Sequence, residues 1–343
     1  MAAETEPPTT RVTLARVAER AGVSLKTASR ALGGESYVSE ATRDRVLAAA
    51  HELGYQRNTA ASLLASGRLA DTIVLVTGDV TNPFYSALAR AIEDELRPHG
   101  IQLSVANSRE SSEQEWRTAC DLADRQTRAL IVVSALHDHA AYGALRSRGI
   151  PVVFVDRPAV GLDADSVLFD NREGGRIAAR HLRDAGHSRI AVISDYSWLH
   201  TSRERLAGIE DVLSDPPVAS GRRELIRGDA HDAQTARASA AELLALPDPP
   251  TAIIAGNNRA LLGLLEHLRG IPAAERPAVV SFDDIEWGGV LGITVVAGDV
   301  EALGRRAAQL AVSPLANGAR PAERIELPMK LVARESSAGW TTP

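Results

Sequence analysis

Short apolar segments alternate with amphipathic helical segments from residue 72 onward, and this alternation constrains the fold more than any other feature. The predicted strands are residues 73–77, 102–106, 129–133, 152–156, 190–194, 224–226, 252–255 and 279–282. The predicted helices include residues 85–97, 113–124, 172–185, 202–213, 233–246 and 259–269. Strands and helices that alternate at this spacing form parallel sheets with helices on both faces. So many elements exceed one sheet, which predicts an α/β body of two doubly wound subdomains.

The first part of the chain has a different pattern, typical of three short helices. Thr13 is placed to cap a first helix, and Gly22 permits a tight turn before Ser24 caps a second helix. A third helix follows Ser39, with Val46, Leu47, Ala50 and Leu53 expected on its inner side. Helix, tight turn and helix in this order predict a helix-turn-helix domain. An ordinary three-helix bundle with a solvated outer face is the alternative.

The net charge separates the same two regions. Residues 11–68 contain nine Lys/Arg and five Asp/Glu, whereas the whole chain has a net charge of −6. A basic segment attached to an acidic body suggests contact with a polyanion at one end only. The second helix supports this reading, because hydroxyl and cationic side chains on an exposed helix suit phosphates and base edges in a major groove.

The segment contains, in this order, Thr13-Leu14, Ala21-Gly22-Val23-Ser24, Ser29-Arg30, Val38-Ser39 and Leu53-Gly54-Tyr55. This order of residues resembles the DNA-binding domain of the lactose-repressor (LacI/GalR) family. It implies a helix-turn-helix domain over residues 11–57. The implied DNA contacts in this domain are Thr13, Ser24, Leu25, Lys26, Thr27, Ser29 and Arg30, with Leu25 and Lys26 reading bases. Arg16 departs from the family pattern, which usually has Asp there.

Residues 58–68 correspond to the family's hinge helix. Its predicted helical part, residues 58–66, has about nine residues, which is too few for a stable isolated helix, so this segment is expected to fold as two copies pair on DNA. The resemblance implies that Asn58 contacts the DNA backbone. It also implies that Ala61 and Leu64 enter the minor groove, where Leu64 opens a central base step. Arg57 stands where the family usually has proline.

The resemblance continues through the body, whose family fold is shared with periplasmic sugar-binding proteins. It implies two core subdomains joined by three chain crossings. Residues 71–168 and 296–322 are expected in the N-terminal subdomain, and residues 169–295 and 323–343 in the C-terminal one. Two departures concern the cleft between them: Asn258 stands where the family often has Asp, and Gly298 where it frequently has glutamine.

The implied effector-binding residues combine carboxylates, amides, an arginine and aromatic rings. Such a set can exchange hydrogen bonds with hydroxyl groups and stack on the apolar face of a sugar. Each residue also has an ordinary structural reading, as a helix cap, a solvated side chain or core packing. The expected set is Asn82, Phe84, Tyr85, Asp156, Trp198, Arg205, Asn257, Asp283 and Trp287.

Features of other protein classes are weak in this sequence. Cys120 lies within a helical pattern without a neighbouring histidine, which argues against a nucleophile. His137 and His139 have no third ligand nearby, so we expect no metal, and no phosphate-binding glycine motif indicates a cofactor. The single cysteine, the polar first ten residues and the lack of a long apolar run predict a cytoplasmic protein with no membrane contact.

The sequence thus predicts a transcriptional regulator, expected to be a repressor, and not an enzyme. The expected partners are a palindromic double-stranded operator DNA, bound by a homodimer, and a small effector, with a sugar as the first choice. Control by a nucleobase or nucleoside, or by a partner phosphoprotein, remains open. An enzyme built on the same core is the most remote alternative.

Overall fold

The computed structural model describes residues 12–33, 37–55, 71–125, 127–214, 222–313 and 321–338. The chain divides into two compact units, residues 1–69 and residues 70–343, which are described separately below. The longest helices have 14 residues. Within the described ranges, no helix is long and apolar enough to cross a membrane.

The first unit contains three short helices, α1 (Leu14–Ala21), α2 (Leu25–Leu32) and α3 (Glu40–Glu52). Gly22 ends α1 with a left-handed φ of 64°, and the N–H of Val23 donates to the carbonyl of Ala18 at 3.0 Å. Small buried side chains on all three helices, together with Val17 and Val46, form the core. The helix-turn-helix prediction is therefore confirmed. Leu47 is 47% exposed, contrary to expectation, and Ala49 faces inward instead.

The second unit has two lobes, each built on a six-stranded sheet. The strands of the first sheet are β1 (Thr72–Thr77), β2 (Gln102–Asn107), β3 (Ala129–Val132), β4 (Val152–Val155), β5 (Asp165–Phe169) and β11 (Arg324–Leu327). They lie in the order β11-β5-β4-β3-β1-β2, and all of the strand pairs are parallel. The helices of this lobe are α4 (Pro83–Leu96), α5 (Ser112–Asp124), α6 (Tyr142–Ser147) and α12 (Val300–Val312).

The second lobe repeats this plan with one antiparallel edge strand. The strands of its sheet are β6 (Ile190–Ile193), β7 (Ile226–Arg227), β8 (Ala252–Ala255), β9 (Ala278–Phe282), β10 (Thr294–Gly298) and β12 (Met329–Val332). They lie in the order β12-β10-β9-β8-β6-β7, and among these strands only β12 runs antiparallel to its neighbour. The helices are α7 (Asn171–Asp184), α8 (His200–Leu213), α9 (Ala233–Leu244), α10 (Asn258–Leu268) and α11 (Glu286–Val290).

The chain crosses between the lobes three times, as the resemblance implied, but two boundaries differ from the expected ones. The crossings follow β5, β10 and β11. Residues 296–298 therefore belong to the second lobe, and residues 324–327 to the first. Only Pro328 lies between β11 and β12, yet the two strands belong to different sheets, whereas both were expected in the C-terminal subdomain. The strand β11 pairs with β5 and not with the sheet that contains β12.

Candidate functional site

The outer face of α2 presents most of the residues expected to contact DNA. Leu25 is 55% exposed although it is apolar, and Lys26, Ser29 and Arg30 are also exposed. Ser24 caps the helix, since its Oγ accepts from the N–H of Thr27 at 3.1 Å and lies 2.8 Å from the Thr27 hydroxyl. The predicted cap of α1, Thr13, is in the right position but makes no side-chain cap bond. The remaining expected contacts, Asn58, Ala61 and Leu64, lie outside the described residues, as does Arg57.

A cavity of about 600 Å³, including its open mouth, lies where the two lobes meet; we call it the main cleft. Its walls come from loops after strands of both sheets, where ligands of parallel α/β folds bind. Seven of the nine expected effector residues line this one cavity: Asn82, Phe84, Tyr85, Asp156, Arg205, Asn257 and Asp283.

Two aspartates occupy matching positions in the two lobes. Asp156 follows β4 and Asp283 follows β9, and each has a left-handed φ of 69°. This conformation is uncommon for residues other than glycine, although Asp and Asn tolerate it best. Burial raises the pKa of Asp156 to about 6, opposed chiefly by Arg157. Burial also raises the pKa of Asp283, opposed by Arg205. Both carboxyls are therefore held in an environment that disfavours their charge.

Arg205 is held rigidly at the edge of the main cleft. Its Nε donates to Asn171 Oδ1 at 2.7 Å and its Nη1 to the carbonyl of Gly256 at 2.8 Å, while Nη2 lies 3.7 Å from Asp283 Oδ1. The guanidinium carbon also lies 4.4 Å from the centre of the Phe282 ring.

The close packing of α7 against α8 positions this arginine. A Cβ on Gly175 would lie 2.1 Å from the carbonyl oxygen of Arg205, and one on Gly208 would lie 1.9 Å from that of Arg172. Since neither backbone oxygen can move aside cheaply, the two glycines permit the helix approach that places Arg205.

The sequence reasoning missed six charged residues of the main cleft: Asp79, Glu110, Arg157, Asp195, His231 and Arg259. Several follow a strand end closely, which is the signal that could have identified them. The side chain of Arg157 is 7% exposed and forms a bidentate ion pair with the Glu110 carboxylate, with N–O distances of 2.7 Å and 2.8 Å. It also donates to the carbonyl of Ser134 at 2.8 Å and to the Tyr85 hydroxyl at 3.2 Å.

Asp195 and His231 form a second paired group in the cleft. The Nδ1 of His231 lies 2.8 Å from Asp195 Oδ1, and this hydrogen bond raises the pKa of the imidazole. Asp195 Oδ2 accepts from Asn257 Nδ2 at 2.6 Å. The other amide atom of Asn257, Oδ1, caps α10 through the N–H of Ala260 at 2.7 Å. Asn257 is therefore oriented by partners on both sides.

Two sets of side-chain bonds cross the cleft and join the lobes. Asn258 Nδ2 donates to Asn82 Oδ1 at 2.8 Å. Arg259 donates to the Asp79 carboxylate and, at 2.6 Å, to the Thr81 hydroxyl. Asn258 is 3% exposed, so the departure from the family pattern at this position supplies a buried donor and not a solvated group.

The two tryptophans expected in the effector site lie outside the main cleft. Trp198 stacks on Tyr196 with ring centres 5.7 Å apart and lines a neighbouring cavity. Trp287 packs against the core of the second lobe and lines a separate groove. The departure at Gly298 has a steric explanation, because a Cβ there would lie 2.2 Å from the Phe169 ring. Phe169 thus fills the space that a side chain at position 298 would need.

The main cleft is suited to bind a polar molecule. Carboxylates, amides and guanidinium groups line it, together with the rings of Phe84 and Tyr85. Such a lining can orient several hydroxyl groups at once. Within the described ranges, no group of three His, Cys, Asp or Glu side chains could hold a metal ion.

Comparison with known proteins agrees with this architecture. Residues 13–58 match the family of bacterial regulatory proteins, lacI family, and residues 70–335 match periplasmic binding proteins and the sugar binding domain of the LacI family. The HTH-type transcriptional regulator PtxS of Pseudomonas plecoglossicida is 31% identical over 96% of this chain and 96% of its own length.

Two solved structures are similar over nearly the full length. A complex of the transcriptional regulator CelR with cellobiose is 30% identical, with a TM-score of 0.68 over 95% of this chain and 100% of its own. The lac repressor dimer bound to operator and an anti-inducer is 26% identical, with a TM-score of 0.79 over 96% and 99%. These relatives are regulators, not enzymes. The chain therefore belongs to the LacI family, and it is a DNA-binding transcriptional regulator with a ligand-binding core.

Proposed function

We propose that the protein is a repressor that binds a palindromic operator as a homodimer. Its affinity for the operator changes when a sugar binds in the main cleft. The observation that carries the sugar proposal is the convergence of Asn82, Asp156, Arg205, Asn257 and Asp283 in one cavity between the lobes. Their donors and acceptors complement hydroxyl groups, while the adjacent Phe84 and Tyr85 rings complement the apolar face of a sugar ring. The cellobiose bound by CelR supports this choice.

The dimer and the operator proposals rest on the first unit and on a relative. A helix-turn-helix unit with one recognition helix reads one half-site, so a two-fold dimer reads an inverted repeat. The operator-bound dimer of the lac repressor supports the same arrangement. We assign base contacts to Leu25, Lys26 and Arg30 and backbone contacts to Thr13, Ser24, Thr27 and Ser29. Asn58, Ala61 and Leu64 are assigned to the hinge contacts.

Selection of binding sites from a random duplex library tests the DNA half of the proposal. We expect the full-length protein to enrich an inverted repeat, with one homodimer bound to each site. Enrichment of a single unrepeated site, or no enrichment, would contradict the dimeric operator reading. The selected duplex then serves as the probe for effector titrations.

A thermal-shift screen with mono- and disaccharides, nucleosides and nucleobases tests the effector half. A ligand at 100 times its Kd adds about 2.7 kcal/mol of stability, which is readily seen. Asp283→Asn keeps the shape and suits the left-handed backbone but removes the charge, so it should weaken the sugar response. Asp229→Asn is the matched control, since Asp229 is exposed, has a φ of 56° and does not line the cleft. A nucleobase response without a sugar response would replace the sugar proposal.

A further inference from the structure

A second cavity adjoins the main cleft and has the opposite chemistry. It measures about 660 Å³ including its open mouth, and we call it the side cavity. Loops after β3 and β4 of the first lobe form one wall, and the segment from Trp198 to Arg203 of the second lobe forms the other. Arg157 and Leu199 line both cavities and separate them.

The lining of the side cavity contains hydrogen-bond donors and no acidic side chain. None of the described residues that line it is Asp or Glu, whereas five carboxylates line the main cleft. Its polar residues include Arg157, Arg203, His137, His139 and His200. Three carboxylates act on its histidines from outside the lining: Glu204 and Glu326 on His200, and Asp138 on His139.

The cation at the mouth of this cavity is uncompensated. Arg203 is exposed, and among the residues that the structure describes it has no ion pair. Arg157 is neutralised by Glu110, so Arg203 is the remaining arginine of the lining without an ion pair to any described residue. A guanidinium group that faces a pocket without carboxylates favours an anionic occupant.

The first turn of α8 borders the side cavity at His200 and the main cleft at Thr201 and Ser202. The helix has 14 residues and begins at His200, and its N-cap residue, Leu199, makes no side-chain cap bond. The first N–H groups of a helix have no partner within the helix and attract anions. Both His200 and Leu199 line the side cavity.

Two buried polar atoms of the lining provide an independent indication. Within the described part of the chain, Arg157 Nε and His139 Nε2 have no hydrogen-bond partner. The Arg157 side chain is 7% exposed and His139 is 2% exposed. Buried polar atoms are rarely left without a partner, and both of these atoms belong to residues that line the side cavity.

We propose that the side cavity is an anion site that binds a phosphate group, either free inorganic phosphate or the phosphate of a phosphorylated sugar. Donors reach the cavity from a guanidinium group, imidazole rings and a helix N-terminus on different segments. A phosphate, with three strongly accepting oxygens, can use donors from several directions at once. The site adjoins the proposed sugar site and shares Arg157 and Leu199 with it, but its other lining residues are different.

Isothermal titration of the full-length protein with inorganic phosphate, glucose 6-phosphate and glucose, at constant ionic strength in chloride buffer, tests the proposal. We expect both phosphates to bind and Arg203→Ala to weaken them about tenfold or more, as expected for loss of a charge-assisted contact. Arg203→Lys should retain part of the affinity. Arg237→Ala removes an exposed helix arginine that lines neither cavity, and it should bind like the parent. Equal phosphate affinity in the parent and Arg203→Ala, or no phosphate binding at all, would overturn the proposal.

The main-cleft variant Asp283→Asn separates this site from the sugar site. It should weaken glucose binding if glucose is accepted there, yet leave the affinity for inorganic phosphate unchanged. Loss of phosphate binding in Asp283→Asn would place the anion in the main cleft and overturn the proposal. Tighter binding of glucose 6-phosphate than of phosphate would assign the group to an effector that spans both cavities. Equal affinities would assign it to free phosphate.

Discussion

Replacement of Asn258 by Asp tests whether the bond across the main cleft helps to hold the lobes together. Asn258 Nδ2 donates to Asn82 Oδ1 at 2.8 Å, and the same oxygen accepts from the N–H of Phe84 at 3.0 Å. Because a backbone N–H can only donate, this cap fixes which end of the Asn82 amide faces Asn258. A carboxylate at position 258 would therefore face an oxygen.

The size of the effect follows from the two ways in which the protein can respond. If Asn82 continues to cap α4, the buried hydrogen bond to Asn258 is replaced by two oxygen acceptors that face each other, which costs about 1–3 kcal/mol. If the Asn82 amide turns over, it can donate to the new carboxylate but loses the cap on α4, worth about 1 kcal/mol. Closure also removes the carboxylate from water, since position 258 is buried. We expect the closed arrangement to be disfavoured by about 1–2 kcal/mol, or roughly 5- to 30-fold.

The assay compares effector affinity and overall dimensions in three proteins: the parent, Asn258→Ala and Asn258→Asp. Effector affinity should fall in that order, and small-angle scattering without effector should give a radius of gyration that rises in the same order. The stability of α10 should not suffer, because an acidic residue in the first turn of a helix is favourable. Tighter effector binding by Asn258→Asp than by Asn258→Ala would refute the reasoning.

Three further predictions concern DNA binding and pH. Leu64→Ala should weaken binding to the selected operator while fold and effector affinity are retained, and unchanged operator affinity would argue against its assigned wedge role. Lys26→Ala should relax sequence preference at one operator position at a cost of about 1–3 kcal/mol, whereas a uniform loss over all sequences would make it a phosphate contact. Asp156 has a pKa raised to about 6 from 3.8. Its contribution to folding stability is therefore complete below the unfolded pKa and is lost as the pH rises through 6, by about 3 kcal/mol. Chemical denaturation of Asp156→Asn between pH 4 and 8 should lack this loss, and a pH profile identical to that of the parent would contradict the assignment.

The sequence predicted the elements of the second unit well where their hydrophobic pattern was local. The helices 171–184 and 258–268 differ from the predicted ranges by one residue at each end. The hydrophobic pattern does not predict β5 or β10 as strands, and the expected subdomain boundaries place β11 in the wrong lobe. Pairing with strands far away in the sequence places these segments in their sheets, as pairing with β5 does for β11. Local periodicity carries no information on such pairing.

The family resemblance identified those main-cleft residues that match the family pattern. It could not identify residues whose role depends on a partner from a distant part of the chain. Asp156 ends one predicted strand and Asp283 follows another, and the structure places both in the cavity. The family resemblance could not show that Arg157 is neutralised by Glu110, because that pair joins loops 47 residues apart in the chain. Likewise, Trp198 has the chemistry of a sugar-stacking residue, but the loop after β6 directs it to the side cavity.

The two cleft aspartates show how binding and stability make opposite demands on this core. Each is buried, each has a backbone conformation that most residues avoid, and each has a raised pKa, so the unliganded fold bears a cost at both positions. A ligand that donates hydroxyl hydrogen bonds to an ionised carboxylate stabilises its charged form and lowers its pKa. Such a ligand binds more tightly as the pH rises through 6, while the unliganded protein becomes less stable over the same range. An effector therefore relieves a destabilisation that the folded core carries without it, and this relief adds to the free energy available to shift the protein between its conformations.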